Sequence, residues 1–184
     1  MTERLLYQGK SSKPAKGAEL DALVVGAGIG GLIVSAVLLS QGRKVHLTEK
    51  LGRAGGRLSP EKREGFTLGA GFAYGDCAWW RALADKLGIK ADTLPVAEGR
   101  ALAHSSKGWL RPEGLPLWEH FLCEPCTEYP AGGALGLSET LLSYCASMPG
   151  FSLSLECPVT ALTGSEGRIA TVSLGPDREV KPKD

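Results

Sequence analysis

Residues 24 to 31 read VVGAGIGG, four glycines in eight positions, directly before the apolar run Leu32 to Leu39. Two structures compete for such a stretch. Ala22 to Leu39 is eighteen residues with nothing more polar than Ser35, and Gly26 and Gly30 form a GxxxG pair, as in a membrane span. Against a span, that length is at the short end, clustered glycines weaken any helix, and Val24 and Val25 favour a buried strand. The same residues spell GxGxxG with Gly26, Gly28 and Gly31, after a short apolar strand and before helix-compatible residues. That context predicts strand, phosphate-binding turn and helix, with no transmembrane segment.

Each glycine of the motif has a task that a side chain would obstruct. Gly26 allows the tight turn out of the strand, Gly28 lets the backbone approach a pyrophosphate, and Gly31 lets the helix pack closely on the sheet. Gly30 lies in the same turn and is grouped with them as a cofactor-binding candidate. The unpaired N–H groups and positive dipole end of the helix then face the phosphate. The next expected strand, Lys44 to Thr48, ends at Glu49, twenty-three residues after Gly26. A carboxylate there can accept hydrogen bonds from both ribose hydroxyls of an adenosine, and it repels a 2′-phosphate, which disfavours NADP. Glu49 is expected to end its strand outside the core.

EKLGRAGGRL, residues 49 to 58, follows the second strand without a gap. With it, Asp21 to Gly71 resembles the amino-terminal unit of the flavin-dependent amine oxidase and phytoene desaturase superfamily, which carries an Arg-rich segment ending in GGR at this place. The resemblance implies FAD, with NAD the less favoured cofactor. Gly55 and Gly56 can make a backbone bend, Arg57 can present a planar fork of donors to phosphate oxygens, and Arg53 adds a second positive charge. The chain departs from the family twice. Leu51 stands where Arg is common, and GFTLGAG, residues 65 to 71, has Gly69 where an Asp is common. Gly71 matches the glycine at which the family's backbone passes close to the cofactor.

The resemblance resumes in residues 129 to 162, which look like the family's Gly-Gly turn, helix and strand, with Val159 matching the residue whose backbone meets the adenine. Locally, Leu137, Leu141, Leu142 and Cys145 have helical spacing, and Phe151, Leu153 and Leu155 alternate as a strand that Pro158 bends or ends. Arg168 to Leu174, the turn Gly175-Pro176-Asp177, and Glu179 to Lys181 read as an antiparallel hairpin, part of the family's small β-meander. The expected fold is therefore α/β: a Rossmann-like dinucleotide-binding domain with a parallel sheet, a small β-meander and a short Pro-rich insert.

At 184 residues and 43% hydrophobic composition, the chain fits one domain, residues 21–184, behind a polar leader, residues 1–20. Residues 72–128 are read as a shortened insert where the family places much of a substrate domain. Within it, AWWRALADKL puts Trp79, Leu83 and Leu87 on one helical face, read as core. Residues 95 to 130, with five prolines, are expected to be irregular chain packed over the sheet. The chain ends before the segment that in this family returns to the flavin ring, so the adenosine and pyrophosphate sites are expected here without most of the ring and substrate site.

Five cysteines with no secretory signal suit a reducing, cytoplasmic compartment. Cys123 and Cys126 have CxxC spacing, but no second pair completes a zinc set, so no metal is expected. His46, His104 and His120 read as structural or surface histidines. Twenty-one Lys and Arg against twenty Asp and Glu give nucleic-acid binding no support. The leading reading is an FAD-binding oxidoreductase domain accepting a hydride or two electrons from an organic substrate, with no catalytic acid or base assigned and the substrate unknown. The alternatives are a non-catalytic or truncated adenine-dinucleotide-binding module that needs a second chain to complete the flavin site, and an NAD-binding protein.

Overall fold

Val24 and Val25 lie in a strand, and the glycines after them turn the chain into a helix, in the computed structural model of the protein. It describes residues 19–59, 61–68, 78–95, 103–105, 108–110, 128–130, 132–165, 168–175 and 178–180. In chain order the elements are β1 (Ala22–Val25), α1 (Ile29–Ser40), β2 (Val45–Thr48), a 3-10 turn (Gly56–Leu58), β3 (Glu61–Arg63), β4 (Phe66–Leu68), α2 (Ala78–Leu87) and β5 (Thr93–Pro95). There follow β6 (Ala103–Ser105), β7 (Gly108–Leu110), β8 (Glu128–Pro130), α3 (Gly133–Ser147), β9 (Phe151–Ser154), β10 (Val159–Ser165), β11 (Arg168–Leu174) and β12 (Arg178–Val180). The chain divides into two compact units, Met1–Phe72 with Ala134–Asp184, and Ala73–Gly133.

The first unit is built on a parallel three-stranded sheet in the order β1-β2-β9. Register puts Val24, Leu47 and Leu153 side by side on one face, and Leu23, His46 and Ser152 on the other. α1 covers the first face: its buried residues Leu32, Ser35, Ala36 and Leu39 recur at helical spacing. α3 buries the stripe its sequence predicts, Leu137, Leu141, Leu142 and Cys145, and the Cys145 thiol lies 3.9 Å from the Leu32 carbonyl of α1. Each fully buried Leu here contributes about 1.5–3 kcal/mol of hydrophobic stabilisation. α1 is twelve residues long, and among the described residues no helix is long and apolar enough to cross a membrane.

β2 is buried along its whole length although half of it is polar. The histidine in it is a core residue: His46 Nδ1 and Ser152 Oγ are 2.7 Å apart across the β2–β9 pair. This bond satisfies one ring nitrogen of the buried histidine and offsets part of the cost of burying it. β10, β11 and β12 form an antiparallel meander, with Val172 and Leu174 buried. Its last strand begins at Arg178, one residue ahead of the expected Glu179, and its first strand was not distinguished from sequence. β3 and β4 form an unanticipated hairpin, whose two-residue turn uses Glu64 and Gly65, both at positive φ.

In the second unit, α2 buries Trp80, Ala84 and Leu87, not the stripe expected from Trp79, Leu83 and Leu87. Trp79 is 41% exposed and Trp80 2%. The two stripes differ by one residue of rotation and share Leu87, so apolar spacing cannot choose between adjacent tryptophans. The stretch expected to be irregular also carries regular pairing, β5 with β8 and β6 with β7; Pro95 and Pro130 stand at the ends of β5 and β8, where a proline is tolerated. The leader as far as residue 18, Gly71, Cys77, the Cys123–Cys126 pair, His120 and the Pro176-Asp177 turn lie outside the described residues.

Candidate nucleotide-binding site

The carboxyl end of β1 and the first turn of α1 meet at the glycines. Gly26 leaves the strand at φ +94°, a backbone that side-chain-bearing residues rarely adopt, while its N–H still donates to the Thr48 carbonyl at 2.7 Å. Gly28 caps α1, and the first helical bond runs from Leu32 N–H to its carbonyl at 2.9 Å. No side chain bonds the cap, and no acidic residue stands in the first turn. The initial N–H groups of α1 are thus left to an external acceptor, with the positive end of the helix behind them. A Cβ at Gly28 or Gly30 would meet nothing within 4 Å, so space lies open above the turn. At Gly31 the reverse holds: a Cβ would collide with the Gly26 carbonyl oxygen and stand 3.4 Å from Val24 Cγ1. Only glycine lets α1 approach β1 this closely.

The GGR segment forms the second wall. Gly55 N–H donates to the Ala27 carbonyl at 2.7 Å, and Gly28 and Gly55 make an isolated parallel bridge. Gly55 and Gly56 both have positive φ, and a Cβ on Gly56 would stand 3.1 Å from Gly28 Cα. This double glycine is required by contact with the first turn as well as by its own bend. Ser59, a residue that sequence reasoning passed over, closes the segment: its hydroxyl donates to the Ala54 carbonyl at 2.7 Å and its N–H to the Gly56 carbonyl at 3.1 Å. A serine three residues after the second glycine of a bend is the signal that could have found it. Arg57 is held in the 3-10 turn with its side chain exposed, and Arg53 is exposed as well.

Glu49 corrects an expectation. It does not stand outside the core but is buried, 6% exposed. Its Oε2 accepts from Ala27 N–H at 2.7 Å and its Oε1 from Leu51 N–H at 2.9 Å. Its own N–H donates to Ser154 and its carbonyl accepts from Cys157 N–H, each at 2.8 Å. Backbone donors replace the water that the carboxylate gives up, which makes burial of the charge affordable. The bond from Cys157 brings the 155–158 crossover against Glu49, and Val159 follows as the half-buried first residue of β10, paired with Leu174. Gly26, Gly28, Glu49, Gly55 and Gly56 are therefore joined in one connected cluster. Among the described residues, no group of three or more His, Cys, Asp or Glu could hold a metal ion.

Residues 24–87 match the NAD(P)-binding Rossmann-like domain family. The match takes in the glycine turn, α1, β2 and the GGR segment. The chain's homologues and structural neighbours include members of the FAD-dependent amine oxidase and phytoene desaturase superfamily. Over 56 residues it is 45% identical to an all-trans-retinol 13,14-reductase of Danio rerio, a match covering 30% of this chain and 9% of that protein. Over 48 residues it is 44% identical to a 4,4'-diapophytoene desaturase of Staphylococcus aureus, covering 26% of this chain and 10% of that one. The chain therefore matches about a tenth of the length of these curated relatives. The domain's fold also matches a solved structure of a putrescine oxidase, with a TM-score of 0.60 and 17% identity, covering 89% of this chain and 56% of that one.

Proposed function

We propose that this chain binds the adenosine diphosphate half of FAD and belongs to an oxidoreductase in which the flavin accepts a hydride or two electrons from an organic substrate. The observation that carries the reading is the glycine turn: open space above Gly28 and Gly30, an uncapped helix start beneath it, and the Gly55-Gly56 segment docked on its flank. That donor set fits a diphosphate, which needs N–H groups and cations at close approach. The first-turn amides of α1 and the Arg57 guanidinium would hold the diphosphate. Glu49, whose oxygens keep lone pairs beyond the two backbone bonds, would accept the ribose hydroxyls. The Val159 backbone would meet the adenine, and Gly71 would let the chain pass the cofactor. When bound, the flavin supplies the two-electron chemistry. Cytoplasmic residence suits the free thiols of Cys145 and Cys157.

A second reading, NAD in the same site, is favoured by the description of the matched family. Titrating the purified chain with FAD, followed by its visible flavin bands, and then adding ADP or NAD separates the two. FAD is expected to bind and ADP to displace it. Tight NAD binding with no uptake of FAD would replace the first reading by the second.

A further inference from the structure

We infer that Glu49 is a positioning residue for the diphosphate-binding turn, and not solely an acceptor for the ribose; the inference rests on the reading that this turn holds a diphosphate. The argument starts at Ala27, which lies between two glycines and is fully buried. Gly26 and Gly28 leave the backbone on either side unusually free to rotate, so something else must select the one conformation that aims the first-turn amides outward. Both ends of the Ala27 residue are tied down. Its N–H donates to Glu49 Oε2 at 2.7 Å, and its carbonyl accepts from Gly55 N–H at 2.7 Å. The second carboxylate oxygen accepts from Leu51 N–H at 2.9 Å.

One carboxylate thus braces the glycine turn against the chain leaving β2, and through Ala27 it steadies the Gly55-Gly56 wall. The role requires an acceptor at both oxygens, which the carboxylate side chain supplies. Glutamine has nearly the same shape but turns a donor toward one of the two N–H groups. A turn braced before the ligand arrives also spends less ordering free energy on binding, so loss of the brace must weaken ligands that never touch Glu49.

The probe for such a ligand is 2′,3′-dideoxyadenosine diphosphate, which keeps the diphosphate and lacks both ribose hydroxyls. Glu49→Gln is expected to weaken both ligands, the dideoxy compound by about tenfold or more and ADP by at least as much. If Glu49→Gln weakens ADP but leaves the dideoxy affinity at the wild-type value, Glu49 serves the ribose alone and the inference is overturned. Backbone hydrogen exchange in the ligand-free wild-type chain gives a readout that needs neither a variant nor a ligand. The Ala27 and Leu51 amides should be protected there, as should the Val45 amide, which donates to the Gly150 carbonyl at 2.8 Å within the sheet. Rapid exchange at Ala27 beside a protected Val45 would also overturn the inference. Protected amides in a wild-type chain that binds no ADP would uphold the brace and refute the nucleotide-binding reading, so the two can fail separately.

Discussion

Three glycines of one turn should give three different outcomes on replacement by alanine. At Gly31 the added methyl falls on the Gly26 carbonyl oxygen, 3.1 Å from its carbonyl carbon and 3.4 Å from Val24 Cγ1. The obstacle is backbone where the chain leaves β1, so no side chain can rotate aside. Either the turn or α1 must retreat by about an ångström. Overpacking of this kind costs about 1–3 kcal/mol, and a backbone obstacle argues for the upper end. Alanine returns up to about 1 kcal/mol of helix propensity, leaving a net loss of about 2 kcal/mol. With a urea m-value of about 1–3 kcal/mol per molar, the midpoint should fall by roughly 1 M. At Gly30 the methyl meets open space, and Gly30→Ala should leave the midpoint unchanged or raise it. At Gly28 the space is equally open but lies where the diphosphate is proposed to sit. Gly28→Ala should therefore keep stability within about 1 kcal/mol of wild type while weakening FAD and ADP. Urea denaturation of the three variants, followed by ADP titration, reads both axes. A Gly31→Ala midpoint equal to wild type, or a Gly30→Ala loss as large as that of Gly31→Ala, would refute the packing argument.

Burial pushes the Cys145 thiol up from its ordinary 9.0 to about 12. The unfolded chain then ionises first as pH rises, so this group's contribution is fully present below pH 9.0 and is lost toward pH 12, at no more than about 1.4 kcal/mol per pH unit; Cys145→Ala should flatten that part of the stability profile in alkaline urea melts. Arg57→Ala should leave the urea midpoint near wild type, because the side chain is exposed, and should weaken ADP more at low salt than at high salt in calorimetric titrations. Trp80→Ala should cost about 3–5 kcal/mol and Trp79→Ala well under half of that, measured by denaturation, because the first side chain is 2% and the second 41% exposed.

The parts of this fold that were legible in sequence are those whose cause is local. The GxGxxG turn, the helix after it and the α3 stripe each follow from residues within a few positions of one another. The 3.6-residue period found Leu137, Leu141, Leu142 and Cys145, and the structure buries them. Spacing failed where two adjacent residues are equally apolar, as at Trp79 and Trp80, since only tertiary packing decides which one turns inward. It failed also for β10, whose mixed composition matches no strand template and whose existence depends on pairing with β11. Ala27 carried no chemical signal because what matters there is its backbone, and the signal at Ser59, a hydroxyl just after a glycine bend, shows its partner only in the fold, a carbonyl five residues back.

The polar half of β2 shows how the site inherits its geometry from the core. A parallel strand covered on both faces is expected to be apolar throughout, yet His46 and Thr48 are buried beside Val45 and Leu47. His46 meets Ser152 on the neighbouring strand, which helps fix the register of β9 against β2. Thr48 Oγ1 donates to the Cys157 carbonyl at 2.6 Å, and Cys157 N–H donates to the Glu49 carbonyl at 2.8 Å. These two bonds latch the crossover after β9 onto the end of β2, two residues before Val159. A valine in place of Thr48 would keep the shape and bury more apolar surface, but it would leave the Cys157 carbonyl without its hydroxyl donor and weaken the latch. The hydroxyl is thus better explained by placement of the 155–159 segment beside Glu49 than by stability of the strand, and the proposed adenine and ribose contacts both depend on that placement.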